Sequence, residues 1–380
     1  MANTLTSLIP DVQVALDVVS RELVGMIPAV LRDSRADRAA LNQTVRTFVA
    51  PANTTSNITA AMTVPTPSDQ TIGNRTLSIS KSKYSAFAWN GEEALGLNSA
   101  GGPGVLSIQQ DQIAQAIRVL VNEMEADLAG LHIYASRAYG TAGTTPFAST
   151  LADPANVRKI LDDNGAPASD RHLVINTTAG AALRTLAQLT KANEAADTSL
   201  LRQGQLLDLH GFAIRESGQV ITNTAGTGAS YLVNNGAGYA IGSTAITLDT
   251  GSGTILAGDI VTFAGDTNKY VVATALAANV VTLAAPGLRK ALADDAAVTV
   301  VAAAARNLAF SRNAFALATR LPALPPGGDA ATDRETITDP RSGISLELAY
   351  YPGFRMGGYF LGMAWGVGAV KPEHSAILLG

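Results

Sequence analysis

The 380-residue chain contains no cysteine. Disulfides, thiol nucleophiles and thiolate metal sites are thereby excluded. Charge is scarce: Asp, Glu, Lys and Arg make up 15% of the residues and the net charge is -4. With a pI near 5.6, the chain lacks the basic face of a dedicated nucleic-acid binder. Histidine occurs 4 times, at His132, His172, His210 and His374, always alone, so no pair at helical spacing offers a zinc site. No run reaches the roughly 18–20 apolar residues needed to span a bilayer. No basic segment precedes an apolar core as in a signal peptide, and the protein is expected to be made in the cytoplasm. Walker A loops, G-x-S-x-G elbows and strand–G-x-G-x-x-G–helix units are missing. Gly236, Gly238 and Gly242 have the wrong spacing and precede a β run, where a phosphate site needs a helix.

What is abundant is small: Gly numbers 35, with Ala and Thr plentiful, a composition suited to a β-rich chain that buries surface against partners. The longest helical pattern runs from Ser107 to Tyr139. Ser107 and Gln110 read as a capping box. Ile113, Ile117, Leu120, Val121, Met124, Leu128 and Leu131 form an apolar stripe, with Gln115, Arg118, Asn122 and Glu125 mostly on the other side. Arg137 suits the negative end of the helix dipole, and the pattern predicts a rod of roughly 45 Å.

Around this rod the chain changes style several times. Val12, Leu16, Val19 and Leu23 line a short N-terminal helix that Gly25 and Pro28 end. Arg32, Arg35 and Arg38 follow among acids, as candidates for a basic arm touching nucleic acid. Residues 48–67 are Thr-, Asn- and Pro-rich and read as an extended arm. Residues 61–97 read as a long hairpin, one strand carrying Leu77 and Ile79, the other Tyr84, Phe87 and Trp89. Alone, such a hairpin is marginal in water and needs support. Residues 147–222 alternate: a helix from Asp153-Pro154 to Leu161, a strand His172–Asn176, a helix Thr178–Leu189 and a strand Leu206–Arg215. Residues 224–303 contain no Glu, Met or Trp. Short β runs at 245–248, 259–263, 270–274, 280–283 and 297–301 predict an inserted, autonomously folding barrel or sandwich. Beyond it come a strand at 307–310, a helix at 312–319, a rigid loop at 322–328, a strand at 344–351, a Gly-rich apolar run at 354–370 and a last strand at 376–379.

The order of these parts resembles the major capsid protein of tailed bacteriophages, the Hong Kong 97-type coat fold. It is more similar still to short-tailed-phage coat proteins with an inserted β domain. The resemblance is carried by Asp17-Val18-Val19-Ser20-Arg21-Glu22-Leu23-Val24-Gly25-Met26-Ile27-Pro28 and Trp89-Asn90-Gly91-Glu92-Glu93. It continues with Asn307-Leu308-Ala309-Phe310-Ser311-Arg312-Asn313-Ala314-Phe315-Ala316-Leu317-Ala318, then Trp365-Gly366-Val367 with Lys371-Pro372-Glu373. It implies an α+β fold: an N-terminal arm (1–60), an extended loop (61–97), a peripheral domain (98–146) with spine helix 107–139, an axial domain (147–223 and 304–333), the insert (224–303) and peripheral C-terminal strands (334–380).

The same resemblance implies a non-enzymatic shell subunit without cofactor, found in the virion and assembled in the bacterial host cytoplasm. Its partners would be itself in hexamers and pentamers, a scaffolding protein, a portal, a decoration protein, and packaged double-stranded DNA held only by weak non-specific contact. The expected interface residues are Lys81, Lys83, Tyr84, Phe87, Trp89, Leu16 and Leu23, with Arg32, Arg35 and Arg38 on an inner basic arm. Some members of the wider fold crosslink through a hairpin lysine and a distant asparagine, an idea that Lys81 and Lys83 raise, although the more similar relatives lack this chemistry. Two other classes are weighed against this one. The first is a phage or cell-surface binding protein whose 224–303 domain recognises a receptor or glycan. The second is an enzyme using Asp162, Asp163 or His172.

Overall fold

The structure, a computed structural model, describes residues 24–49, 55, 57–60, 62–64, 66, 73–99, 105–186, 189, 208–338 and 344–380. The expected helix over Val12–Leu23, with Leu16 and Leu23, lies outside the described residues, as do the side chains of Arg35 and Ser107.

In chain order, β1 (Leu31–Ala39) and β2 (Thr44–Val49) are followed by β3 (Gly73–Ser78) and β4 (Lys81–Asn90). Two helices come next, α1 (Gly91–Ser99) and α2 (Val105–Ala129). Asn90 caps α1 reciprocally: its side chain accepts from Glu93 N at 2.7 Å and Glu93 Oε2 accepts from Asn90 N at 3.1 Å. The rod is shorter than the sequence predicts. Helix α2 gives way to a 3-10 turn (Gly130–Tyr134), Ala135 turns extended, and β5 (Arg137–Tyr139) begins. Arg137 therefore lies in a strand, where its backbone partners are Tyr270 and Ala376, and its guanidinium pairs with Asp163 at 3.1 Å.

The next unit comprises α3 (Ala152–Asp163), β6 (Arg171–Ile175), α4 (Thr177–Thr185), β7 (Asp208–Leu209) and β8 (Phe212–Glu216). The single strand expected at 206–215 is broken by a turn, with His210 and Gly211 both at positive φ (51° and 79°), and folds back on itself. Then follow β9 (Tyr231–Val233), β10 (Ala245–Asp249), β11 (Ile260–Phe263), β12 (Lys269–Ala277), β13 (Val280–Leu283) and β14 (Ala297–Val300). The chain continues through β15 (Arg306–Ser311), β16 (Phe315–Pro322), β17 (Asp333–Thr338), β18 (Ser345–Gly353), β19 (Met356–Ala369) and β20 (Ser375–Leu379). The helix expected at 312–319 is a short 3-10 turn, Arg312–Ala314, and then a strand. Phe315, Ala316, Leu317 and Ala318 are all buried because β16 is covered on both faces. Such a run has no alternation to betray it.

Two sheets organise the α+β body. In the first, β19 is the hub: β4 pairs along Met356–Trp365, β18 along Met356–Gly362 and β16 along Phe315–Arg320. Strand β1 adds in parallel to β16, and β17 adds antiparallel to β18. The mixed-charge stretch holding Arg32 and Arg38 is thus a sheet strand and not a free arm. The expected hairpin of β3 with β4 does not form. Strand β3 pairs instead with β2, from Thr44↔Ser78 to Val49↔Gly73, while β4 joins β19.

The second sheet runs β5-β20-β15-β6-β8-β7, and its side chains alternate between two cores. Leu173, Ile175, Ala309, Ala376 and Leu378 face α3 and α4 with Val157, Leu161 and Leu183. Val174, Leu308, Phe310, Ile377 and Leu379 face the α2 stripe and Trp365 in the main core. This is the period of two that a sheet covered on both sides requires.

Strands β9 to β14 form a closed ring, in the order β11-β14-β9-β10-β13-β12 and back to β11. Ile246, Leu248, Val261, Val281 and Leu283 fill it, alternating with threonines that point out. Ring closure leaves no free strand edge. The ring joins the body where β12 pairs with β5, and Ile260 and Val271 on its outer side belong to the main core.

Candidate assembly surfaces

The expected interface residues divide into two groups. Lys81 is held within its own subunit: Nζ lies 2.8 Å from Glu123 Oε1 and 2.7 Å from Asp127 Oδ1 on α2, and 5.9 Å from the Trp365 ring centroid. Lys83 reaches the same Glu123 at 2.5 Å. Trp89 donates its indole N–H to Gln112 at 2.8 Å, and Trp365 donates to Asp127 at 2.8 Å. These contacts clamp β4 and β19 to the long helix. Phe87 stacks on Tyr359 at 5.2 Å, in an inward row completed by Tyr350. Tyr84 alone of the hairpin set is strongly exposed, at 67%, beside Phe360 at 5.4 Å.

Among the candidate inner-arm arginines, Arg38 pairs with Glu347 and donates to Pro322 O at 2.8 Å. Asp33 in the same strand pairs with Arg320 at 2.9 Å. The described part of this strand is tied to its own sheet.

Larger assembly signals lie elsewhere. Among the described residues, the β2–β3 ribbon packs on the body at its base, where Leu77 and Ile79 pack with Ala39, Ala316, Ala318 and Ala364. Asn42 N donates to Ile79 O and Ser80 N to Trp365 O. The crossing over β19 is tight. A Cβ on Gly366 would sit 2.0 Å from Ser78 O, and one on Gly368 would sit 2.8 Å from Leu77 Cδ1. Away from the base, Arg46, Asn74, Arg75 and Thr76 are exposed, as is every described residue between Thr55 and Thr66. Ile58 and Met62 are 105% and 106% exposed and Val64 is 90% exposed. From sequence this stretch is expected only to be an arm with little to bury. The available signal is three apolar side chains inside a run with no charge from Thr47 to Ser68.

A second residue that the sequence reading misplaces is Glu125. It lies on the buried stripe of α2, not on the other side, and is 0% exposed. Its carboxylate accepts three successive backbone N–H groups: Gly25 at 2.7 Å, Met26 at 2.6 Å and Ile27 at 3.0 Å. Burial raises its pKa, while these donors and the Ser217 hydroxyl pull the other way. The signal was there, because Glu125 is four residues after Val121 and three before Leu128, on the apolar face.

At the junction of body and ring, His132 hydrogen-bonds Ala129 O through Nδ1 at 3.2 Å, while its Nε2 packs against Gly258. Burial holds its pKa at about 4, and burial also lowers those of His172 and His374. Each group is depressed relative to the unfolded chain, so its contribution is complete above about pH 6.5 and is lost as the pH falls. For His132 alone the loss between pH 7 and 4 is roughly 3 kcal/mol. Denaturant titrations of the unassembled chain at stepped pH are expected to show falling stability over this window, with a shallower slope in His132→Leu. Equal slopes would contradict the assignment.

The carboxylates weighed for catalysis are held in ion pairs: Asp162 with Arg171 at 2.7 Å and Asp163 with Arg137. His172 Nε2 lies 3.0 Å from Asp170. Among the described residues, no group of three or more His, Asp or Glu side chains is placed to hold a metal, and no helix is long and apolar enough to cross a membrane.

No family model matches the chain, and no curated protein matches it. Solved structures do. The chain is similar to a structure of Mycobacterium phage Che8 at 14% identity and a TM-score of 0.45, over 90% of this chain and 85% of that one. It is similar to the capsid of the Cyanophage P-SCSP1u at 11% identity and a TM-score of 0.47, over 92% and 86%. It is also similar to a virus-like particle from Pyrococcus furiosus at 11% identity and a TM-score of 0.43, over 97% and 98%. At these values the likeness carries no functional inference, which has to come from the chain's own surfaces.

Proposed function

We propose that this chain is a shell-forming subunit, the major capsid protein of a tailed phage, which self-assembles around double-stranded DNA. The observation that carries the reading is the ribbon. Two strands of six residues reach roughly 20 Å from the body, and the segment joining them exposes Ile58, Met62 and Val64 almost completely. A ribbon so poorly supported is marginal alone in water, and a second copy is the simplest cover for its apolar end.

Direction adds to this. The base crosses β19 near Gly366 and Gly368, and β4 then runs back along β19 toward Met356. The ribbon therefore leaves by the Ala369 end. Contact with the body of another copy is heterologous, the type that closes into rings when the rotation permits. Rings of six and five, with the ribbon as the extended loop and 224–303 as the inserted β domain, complete the assignment. A portal, a scaffolding protein and a decoration protein are partners of the same reading, and its location is the virion. The low charge and net -4 suit a wall that holds DNA only weakly. No observation favours the receptor- or glycan-binding alternative.

The test is negative-stain microscopy with sedimentation of the wild-type chain and of an Ile58→Asp, Met62→Asp, Val64→Asp triple variant. The wild type is expected to give rings, tubes or closed shells. The variant is expected to remain unassembled with an unchanged melt, since these side chains are almost fully exposed among the described residues. A wild-type chain that stays monomeric, or a variant that assembles as well, would overturn the reading.

A further inference from the structure

The turn between β18 and β19 is built against local preference. Gly353 pairs with Met356, leaving Phe354 and Arg355 as the two turn residues. Two-residue hairpin turns favour Gly, Asn or Asp, because one or both positions need positive φ. Here Arg355 takes positive φ (58°), and the other position holds an aromatic ring that is 93% exposed. Met356 beside it is 49% exposed. Nothing in the described chain covers either.

Next to this knob lies a matching hollow. On the outward face of the same three strands, Ala88, Gly358 and Tyr351 are cross-strand neighbours, and so are Ala86 and Phe360. The small residues leave a floor, while the rings of Phe360 and Tyr351, 5.1 Å apart, form a wall. The resulting groove has a volume of about 370 Å³, enough for an aromatic side chain. Phe354 is not among the residues lining it and points to solvent, 93% exposed.

Charge follows the same pattern. Arg355 is exposed and makes no ion pair among the described residues. Its backbone carbonyl accepts from Gly91 N at 3.1 Å, which places the first turn of α1 alongside, with Glu92 and Glu93 exposed. A cation and an apolar knob thus stand beside an acidic pair and an apolar hollow on one small patch. A patch of that composition is complementary to itself under a two-fold rotation, the condition for an isologous contact.

We propose that the Phe354–Arg355 tip is a reciprocal docking point for a second copy of this chain: each Phe354 enters the other's Ala86–Ala88–Gly358 groove and each Arg355 pairs with the other's Glu92 or Glu93. The contact rests on the shell-forming reading and is separate from the ribbon, which leaves by the opposite end of β19. It joins copies in pairs, where the ribbon joins them head to tail.

The experiment uses the full chain and four variants: Phe354→Ala, Phe354→Asp, Arg355→Glu, and Glu92→Lys with Glu93→Lys. The assembled fraction is read by sedimentation velocity. Each variant is expected to lower it at least fivefold; the Phe354 and Arg355 variants, at exposed positions, are expected to melt unchanged, and the double lysine variant somewhat earlier because Glu93 also caps α1. The deciding arm is an equal mixture of Arg355→Glu with the double lysine variant. In a mixed pair both charge contacts are opposite in sign, so assembly is expected to recover to at least half of wild type, an effect that two misfolded chains cannot produce. Variants that assemble like an assembling wild type, or a mixture no better than its components, overturn this contact and leave the ribbon reading standing. A wild-type chain that stays monomeric overturns both.

Discussion

Replacing Glu125 with leucine is expected to destabilise the unassembled chain by about 3–5 kcal/mol. The carboxylate is fully buried and accepts the N–H groups of Gly25, Met26 and Ile27. Leucine removes both acceptor oxygens at once and leaves the three donors without water or partner. Buried unsatisfied donors each cost about 1–3 kcal/mol. Glu125→Gln separates this account from mere loss of packing. Its amide oxygen can keep the two bonds made by Oε1, to Gly25 and Met26, but its NH2 group turns a donor toward Ile27 N–H. The expected order of stability is wild type, then Gln, then Leu, by urea titration, with amide exchange at residues 25–27 accelerated in the same order. A leucine variant as stable as wild type would mean that these amides find other acceptors.

Gly366→Ala is expected to be nearly as damaging, while Gly368→Ala two residues on is not. A Cβ at 366 would lie 2.0 Å from Ser78 O and 2.8 Å from Ser78 C, both backbone atoms in the only described crossing between ribbon and sheet. Neither can move without breaking the Ser80 N–Trp365 O bond or the packing of Ile79. At 368 the nearest atom is the tip of the Leu77 side chain, which can rotate aside. The expectation is a loss of about 3 kcal/mol or more at 366 against less than about 1.5 kcal/mol at 368. Thermal melts of the two variants side by side test it, and assembly of Gly366→Ala should fail even where the body stays folded. Equal effects at both positions would remove the crossing from the argument.

How much of this was legible in the sequence depended on whether a pattern was local. Val280–Leu283 and Ala245–Leu248 alternate between glycine breaks and were read with nearly the observed bounds, whereas Tyr231–Val233 is too short to show a period. The α2 stripe was clear, but its end was not: after Ala129 the chain tightens into a 3-10 turn, with His132 and Ile133 packed beside Gly258 of the ring, which no helical periodicity contains. Strand β16 read as a helix because Phe315–Ala318 is apolar at every position, and only a strand covered on both faces explains that. The ribbon was misassigned because residue pattern identifies strands without naming their partners. Lys81 and Tyr84 sit three residues apart in one strand, yet one is bound to α2 and the other faces outward. That difference is set by where β19, far along the chain, happens to lie.

The central place of β19 and β20 has a consequence for the order of folding. Strand β19 joins β4, β16 and β18, and β20 lies between β5 and β15. Both are synthesised after residues 31–90 and 137–175, which they hold in place. Neither sheet can be completed during most of translation, and pairing across such sequence separations is slow. A chain on the ribosome therefore presents ribbon and body as unconnected pieces. Under the proposed shell-forming role, the surfaces that would join copies acquire their geometry only once synthesis has passed them all, which would keep partly made chains out of a growing assembly.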